Sequence, residues 1–262
     1  MRTVLIVSPN FPPINSPDMH RVRMSLPYFS EFGWRPVVVA VNPRYVEGVQ
    51  ELPLLDSIPR DVPVRYVRAL PQRWTRKAGL GSLALRALPF LYRAGAEMIR
   101  SYKADLAYFS TTMFPAMVLG RIWKARLGTP FVLDMQDPWL SDYHDARPGT
   151  RRAPKSWLAH CMHSMMEPWT MKAVDGLIAV SQDYIETLRR RYAWLAELPC
   201  EMVTFGAVMT LMFSTLFNFP IWLAIPLAVV MGAAAGWGLD AGLWRPLRKK
   251  GVGIVQLMIV SI

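Results

Sequence analysis

"RTVLIVSPNFPPINSPDMHR", Arg2 to Arg21, holds the three parts of a strand–loop–helix unit. The run from Val4 to Val7 is apolar without period-two alternation, the mark of a strand covered on both faces. Pro9, Pro12 and Pro13 stop it. Ser16–Pro17–Asp18 then offers an N-cap with a proline in the first turn of a helix, which Gly33 ends after Phe32. Pro27 inside that helix predicts a kink. So short an apolar run does not make a secretory signal, and the first part of the chain is expected to fold in the cytoplasm.

Outward from this unit the same rhythm continues. "PVVVAV" (36–41), "VRYV" (64–67), "LAYFS" (106–110), "FVLDM" (131–135) and "GLIAVS" (176–181) join "TVLIV" as strand candidates. Helices are predicted near Ser82–Tyr102, Thr112–Arg126, Lys155–Ala173 and Gln182–Tyr192. Strand–helix alternation of this kind specifies an α/β, doubly wound, mostly parallel, Rossmann-like sheet over residues 1–201, with helices on both faces. Ligands of such sheets bind beyond the carboxyl ends of the strands. That points to the loops Ser8–Ser16, Ser110–Met113 and Met135–Pro148.

In the first loop, a helix N-terminus supplies unpaired N–H groups suited to a phosphate or sugar hydroxyl. The prolines stiffen it, and Asn10, Asn15, His20 and Arg21 provide polar contacts. A proline-rich turn with a capped helix is the plainer alternative. The fifth strand runs into "LDMQDPW" and "LSDYHDARPG", bringing Asp134, Asp137, Asp142, Asp145 and His144 into one acidic region. Carboxylates at a strand end orient hydroxyls or act as general bases, and Asp137 is the candidate catalytic residue. Asp-Pro also opens turns with no further role.

The formal charge of +11 divides into +8 over residues 1–201 and +3 over 202–262. Scattered positive charge suits an anionic membrane surface or a phosphorylated substrate. No nucleic-acid-binding motif accompanies it, so nucleic acid is not expected as a partner. "PQRWTRKAGLGSLALRALPFLYR" interleaves Arg73, Trp74, Arg76, Lys77, Arg86 and Arg93 with apolar residues. It reads as a basic face resting on lipid and presenting a lipid-linked acceptor, or as a solvated amphipathic helix. Cys161 and Cys200 have no redox or metal spacing. The pair His160 and His163 in "HCMH" is too few ligands, so no metal is expected.

From Met202 to Leu239 there is no Asp, Glu, Lys, Arg or His. As one helix these residues would run about 57 Å, against a bilayer core of about 30 Å. Asn218–Phe219–Pro220 interrupts them, so a transmembrane α-helical hairpin is expected, with spans Met202–Phe217 and Ile221–Leu243. Arg245, Arg248, Lys249 and Lys250 beside the second span favour the cytoplasmic side. The expectation is thus a multi-pass inner-membrane protein with residues 1–201 on the cytoplasmic side and membrane lipid as a partner.

Two resemblances follow. "VLIVSPNFPP", "LPYFSEFGWRPVVV", "PFVLDMQDPW" and "DGLIAVSQDYIETLRRRY" resemble the N-terminal half of a family 4 glycosyltransferase of the GT-B fold, over about residues 1–207. The resemblance implies a retaining, nucleotide-sugar-dependent enzyme whose N-terminal half cradles a glycan or lipid-linked acceptor. It carries acceptor contacts onto Asn15, His20 and Arg21, with Asp137 nearby. Many relatives have a glycine-rich first loop where this chain has "PPINSPD". The donor-binding half of that fold has no counterpart in the sequence, so no cofactor is expected and the chain is expected to be inactive alone. The tail from about Met202 to Ile262, with "WRPLRKKG" as its most specific element, resembles an internal piece of branched-chain amino acid ABC transporter permeases. That implies a transport fragment, or a non-functional fusion of two coding sequences meeting near "VTFGA", Val203 to Ala207.

Overall fold

Seven strands form one sheet in the computed structural model, which describes residues 1–75, 81–140, 154–202 and 219–239. They are β1 (Arg2–Val7), β2 (Trp34–Val41), β3 (Val64–Val67), β4 (Leu106–Ser110), β5 (Phe131–Met135), β6 (Gly176–Ala179) and β7 (Cys200–Met202). The order across the sheet is β3-β2-β1-β4-β5-β6-β7 and every pairing is parallel. The helices are α1 (Pro17–Ser25), α2 (Gln72–Thr75), α3 (Leu83–Tyr102), α4 (Val118–Leu127), α5 (Pro154–Met171), α6 (Gln182–Arg191) and α7 (Ile221–Leu239).

Alternate residues of each strand point to opposite faces. Leu5, Val7, Val37 and Val39 therefore join Phe109 and Leu133 in the larger core, under α3 and α4. Val4, Ile6, Val38 and Ala40 face the other way and meet Phe11, Val22 and Leu26 from the first loop, α1 and the turn after it. Both faces are covered, which is why the strands read as unbroken apolar runs. Two glycines let the larger core close. A Cβ on Gly95 would sit 2.3 Å from Trp123, and one on Gly120 would sit 2.4 Å from Phe131. The Phe109 ring contacts both of those aromatics, stacking on Trp123 at 5.7 Å and meeting Phe131 edge-on at 6.3 Å.

Proline sets the local departures from the predicted helices. α1 stops at Ser25, and a 3₁₀ segment, Leu26–Phe32, carries the chain to Gly33 at φ 74°. Pro27 lacks an N–H and so cannot make the next bond of the helical ladder, and the helix ends where only a bend was predicted. Pro115 likewise gives a 3₁₀ start, Phe114–Met117, ahead of α4. On the far side of the sheet, buried Glu167 of α5 accepts hydrogen bonds from Arg191 (3.0 Å) and Tyr192 (2.8 Å). This joins α5 to the end of α6.

The chain divides into two compact units, Met1–Met202 and Val203–Ile262. In the second, the described structure includes α7, and it overturns the membrane reading. Among the described residues no helix is long and apolar enough to cross a membrane. α7 covers 19 residues, a rise of about 28 Å against a core of about 30 Å. Pro226 lies inside it, and nine of its 19 residues are alanine, glycine or proline, which contribute little apolar area per turn. The predicted transmembrane hairpin, the tethering of residues 1–201, the membrane-lipid partner and the multi-pass inner-membrane placement are therefore corrected. The permease resemblance loses its structural basis with them. The first predicted span, Met202–Phe217, and the basic residues Arg245, Arg248, Lys249 and Lys250 lie almost wholly outside the described residues.

Candidate functional site

β1 and β4 are neighbours in space but not in sequence. From β1 the chain builds outward through β2 and β3, then returns to build the other way from β4. At such a switch point the loops leaving the two strands diverge and open a crevice. Here the crevice is a cleft of about 320 Å³, with Asn10, Ile14, Ser16, Gly48, Arg86 and Met113 in its walls.

The first loop is fixed from beneath and from the side. The Tyr66 hydroxyl donates to the Pro12 carbonyl at 2.6 Å, and burial pushes its pKa up to about 12. Asn15 N–H donates to the Val49 carbonyl (2.8 Å), and Glu51 N–H to that of Pro13 (2.7 Å). An antiparallel bridge pairs Ile14 with Gln50. The prolines restrict the loop and these bonds choose its shape.

Asp18, 2% exposed in the first turn of α1, is the hub of the site. Its carboxylate accepts from Asn10 Nδ2 (3.1 Å), Thr111 Oγ1 (3.0 Å), the Thr112 amide (3.4 Å) and the Ser16 hydroxyl. One side chain thus joins the loop after β1, the start of α1 and the loop after β4. Asn10, 4% exposed, spends its amide on Asp18 and Ser16, while its Oδ1 is buried without a partner.

A second buried carboxylate sits below. Asp134 on β5 is paired with Arg21 and accepts from Ser110 Oγ (2.6 Å) and Tyr108 OH (3.0 Å). Burial pushes its carboxyl above the ordinary aspartate range, opposed by the Arg21 guanidinium and the two hydroxyls. The Tyr108 hydroxyl is also pushed up, by burial and by the neighbouring carboxylate. Gln136 Nε2 links the two centres, donating to the Asp18 carbonyl and to Ser110 Oγ, each at 2.9 Å.

The predicted site residues separate. Asn15 lines the cleft, donating to Glu51 Oε1 (2.7 Å) and accepting from His20 Nε2 (2.9 Å). His20 Nδ1 then accepts from Arg23 at 3.3 Å, so His20 supports Asn15 from outside the cleft. Arg21 is turned to Asp134. Asp137 is exposed on the loop after β5 and is not a lining residue of the cleft. Arg86, predicted on a basic surface, is 4% exposed and donates to the Leu70 and Tyr45 carbonyls at 3.0 and 3.1 Å. Arg93 stays at the surface beside Glu97. Arg76 and Lys77 lie outside the described residues, as do the side chains of Arg73 and Trp74. Asp18, Thr111 and Gln136 were missed. Asp18 had a signal, a carboxylate two residues past an N-cap serine, but its partner Thr111 lies 93 residues away.

A family model described as a glycosyl transferase 4-like domain matches residues 20–198. The structure is similar to that of Phytolacca americana UGT2 in its apo form, with TM-score 0.54 and 11% identity, over 78% of this chain and 52% of that one. The same plant protein complexed with UDP-2-fluoro-glucose and pterostilbene gives TM-score 0.52 at 11% identity, over 78% and 53%. Anabaena Alr3699/HepE in complex with UDP aligns at TM-score 0.46 and 17% identity, over 83% and 49%. The chain spans about half the length of these three structures. No curated protein matches it.

Proposed function

The chain belongs to the glycosyl transferase 4-like domain family, and from that premise we propose that residues 1–202 form the acceptor-side half of a nucleotide-sugar-dependent glycosyltransferase of the GT-B kind. The cleft between the first loop and the loop after β4 receives the acceptor. The observation that carries this reading is Asn10 Oδ1, a buried acceptor atom with no partner in the cleft wall. An unmet hydrogen bond of that sort costs about 1–3 kcal/mol, which a ligand hydroxyl returns on binding.

We assign roles to the surrounding residues as follows. Asn10 accepts from the sugar or polyol hydroxyl, with Asn15 and Ser16 beside it. Asp18 and the Arg21–Asp134 pair act through them as positioning groups, because their own atoms are committed to the protein. Asp137, exposed at the carboxyl end of β5, is the carboxylate we assign to orient or deprotonate the attacking hydroxyl. The nucleotide sugar would be held by a second Rossmann-like lobe, which would also stabilise the charge developing on the departing diphosphate in a retaining transfer.

Isothermal titration of the full chain with methyl α-glucoside tests the reading. Asn10→Ala is expected to weaken binding about tenfold, the worth of one buried hydrogen bond at the upper end of its range. Equal affinity in the two proteins would refute the assignment.

A further inference from the structure

The wall of the cleft opposite α1 carries positive charge without a counterion. Arg86 is 4% exposed, and a guanidinium cannot shed its proton in a protein. Two of its donors go to neutral carbonyls, those of Leu70 and Tyr45, and its Nε is buried with no partner. Among the described residues no carboxylate pairs with it, whereas buried charges are ordinarily paired.

The start of α3 adds to this. Arg86 lies in its first turns, and Gly81 and Leu83, on either side of the N-cap Ser82, both line the cleft. Ser82 makes no side-chain capping bond and the first turn holds no acidic residue. A 20-residue helix therefore presents its uncompensated positive end to the same space as the unpaired guanidinium. α1 differs, because Asp18 in its first turn already offsets its dipole. Glu47, exposed at the rim, is the acidic side chain among the lining residues.

We infer that the cleft takes an anionic ligand, a hydroxylated sugar or polyol bearing a phosphate or carboxylate group. The anionic group docks between Arg86 and the N-terminus of α3, and a ligand hydroxyl meets Asn10 Oδ1. The inference rests on the acceptor reading above and narrows its substrate class. A neutral sugar would fill the Asn10 side and leave the buried cation unanswered.

The test titrates the full chain with glucose, glucose 6-phosphate and glucuronate, following cleft amides by nuclear magnetic resonance. At least one charged sugar is expected to bind about tenfold or more tighter than glucose, as a charge-assisted bond implies. The preferred one separates phosphate from carboxylate. Arg86→Met should erase the preference for the charged sugar. Because Arg86 also holds two backbone carbonyls, Glu47→Gln supplies a variant at an exposed position. It should tighten the charged sugar about two- to threefold relative to glucose by removing a like charge. Equal binding of all three sugars at the cleft would overturn the inference and leave the acceptor reading standing. No response at the cleft to any of them would overturn both.

Discussion

The Thr111 hydroxyl, just past β4, donates at 3.0 Å to the carboxylate of Asp18 in the first turn of α1. This bond spans the switch point of the sheet and holds the two walls of the cleft at a fixed separation. Asp18 is nearly inaccessible to solvent, so its loss strands several donors at once.

Asp18→Ala leaves Asn10, Ser16 and Thr111 without their acceptor. The expected cost is about 2–4 kcal/mol, from more than one unsatisfied buried group. The urea midpoint of the variant should fall accordingly. Thr111→Val, which removes one bond and keeps the shape, should cost about 1 kcal/mol.

Asp134 sets a pH dependence. Its carboxyl is raised above the ordinary range, chiefly by burial, and buried Glu167 is raised for the same reason. Between the unfolded value, about 3.9 for aspartate, and the raised folded value, the native state binds more protons than the unfolded state. Stability therefore falls as pH rises through that window. Urea midpoints measured upward from about pH 4 should decline, and less steeply in Asp134→Asn. A midpoint that climbs across the window would mean the Arg21 pairing outweighs burial.

Gly120 is a packing prediction. Its Cβ position lies 2.4 Å from the Phe131 ring, and that ring is fully buried against Phe109. Gly120→Ala gains helix propensity of about 1 kcal/mol but forces the ring to move, a strain of typically 1–3 kcal/mol. The net effect expected is a lower melting temperature. The half-buried Gly81, with open space around its Cβ position, should accept alanine without that loss.

Tyr66 supports the first loop from the edge strand. Tyr66→Phe frees the Pro12 carbonyl and should cost about 1 kcal/mol of stability. Because the loop forms the cleft wall, sugar affinity should fall as well, which separates this role from a purely structural bond elsewhere.

Much of the fold was legible because it depends on near neighbours. "TVLIV" and "PVVVAV" are apolar on both faces and became strands buried on both faces. The three-residue β7, reading only "CEM", had too few residues to show a pattern. The site was legible in part. Asn15 and the first loop were placed at the cleft because a strand–loop–helix unit implies it. Arg21 turns to Asp134 and Arg86 to two backbone carbonyls, partners that a sequence does not show because they lie far along the chain. The tail failed for another reason: a charge-free run was read as two membrane spans, and nearly half of α7 is alanine, glycine or proline rather than large apolar side chains.

The most direct test of the acceptor assignment is an amide chemical-shift map of the isotopically labelled chain with methyl α-glucoside added. Shifts are predicted to gather on residues 10–16, on Gly48 and on Met113, the walls of the cleft between the ends of β1 and β4. Shifts gathered elsewhere on the sheet, with these amides unmoved, would contradict the account.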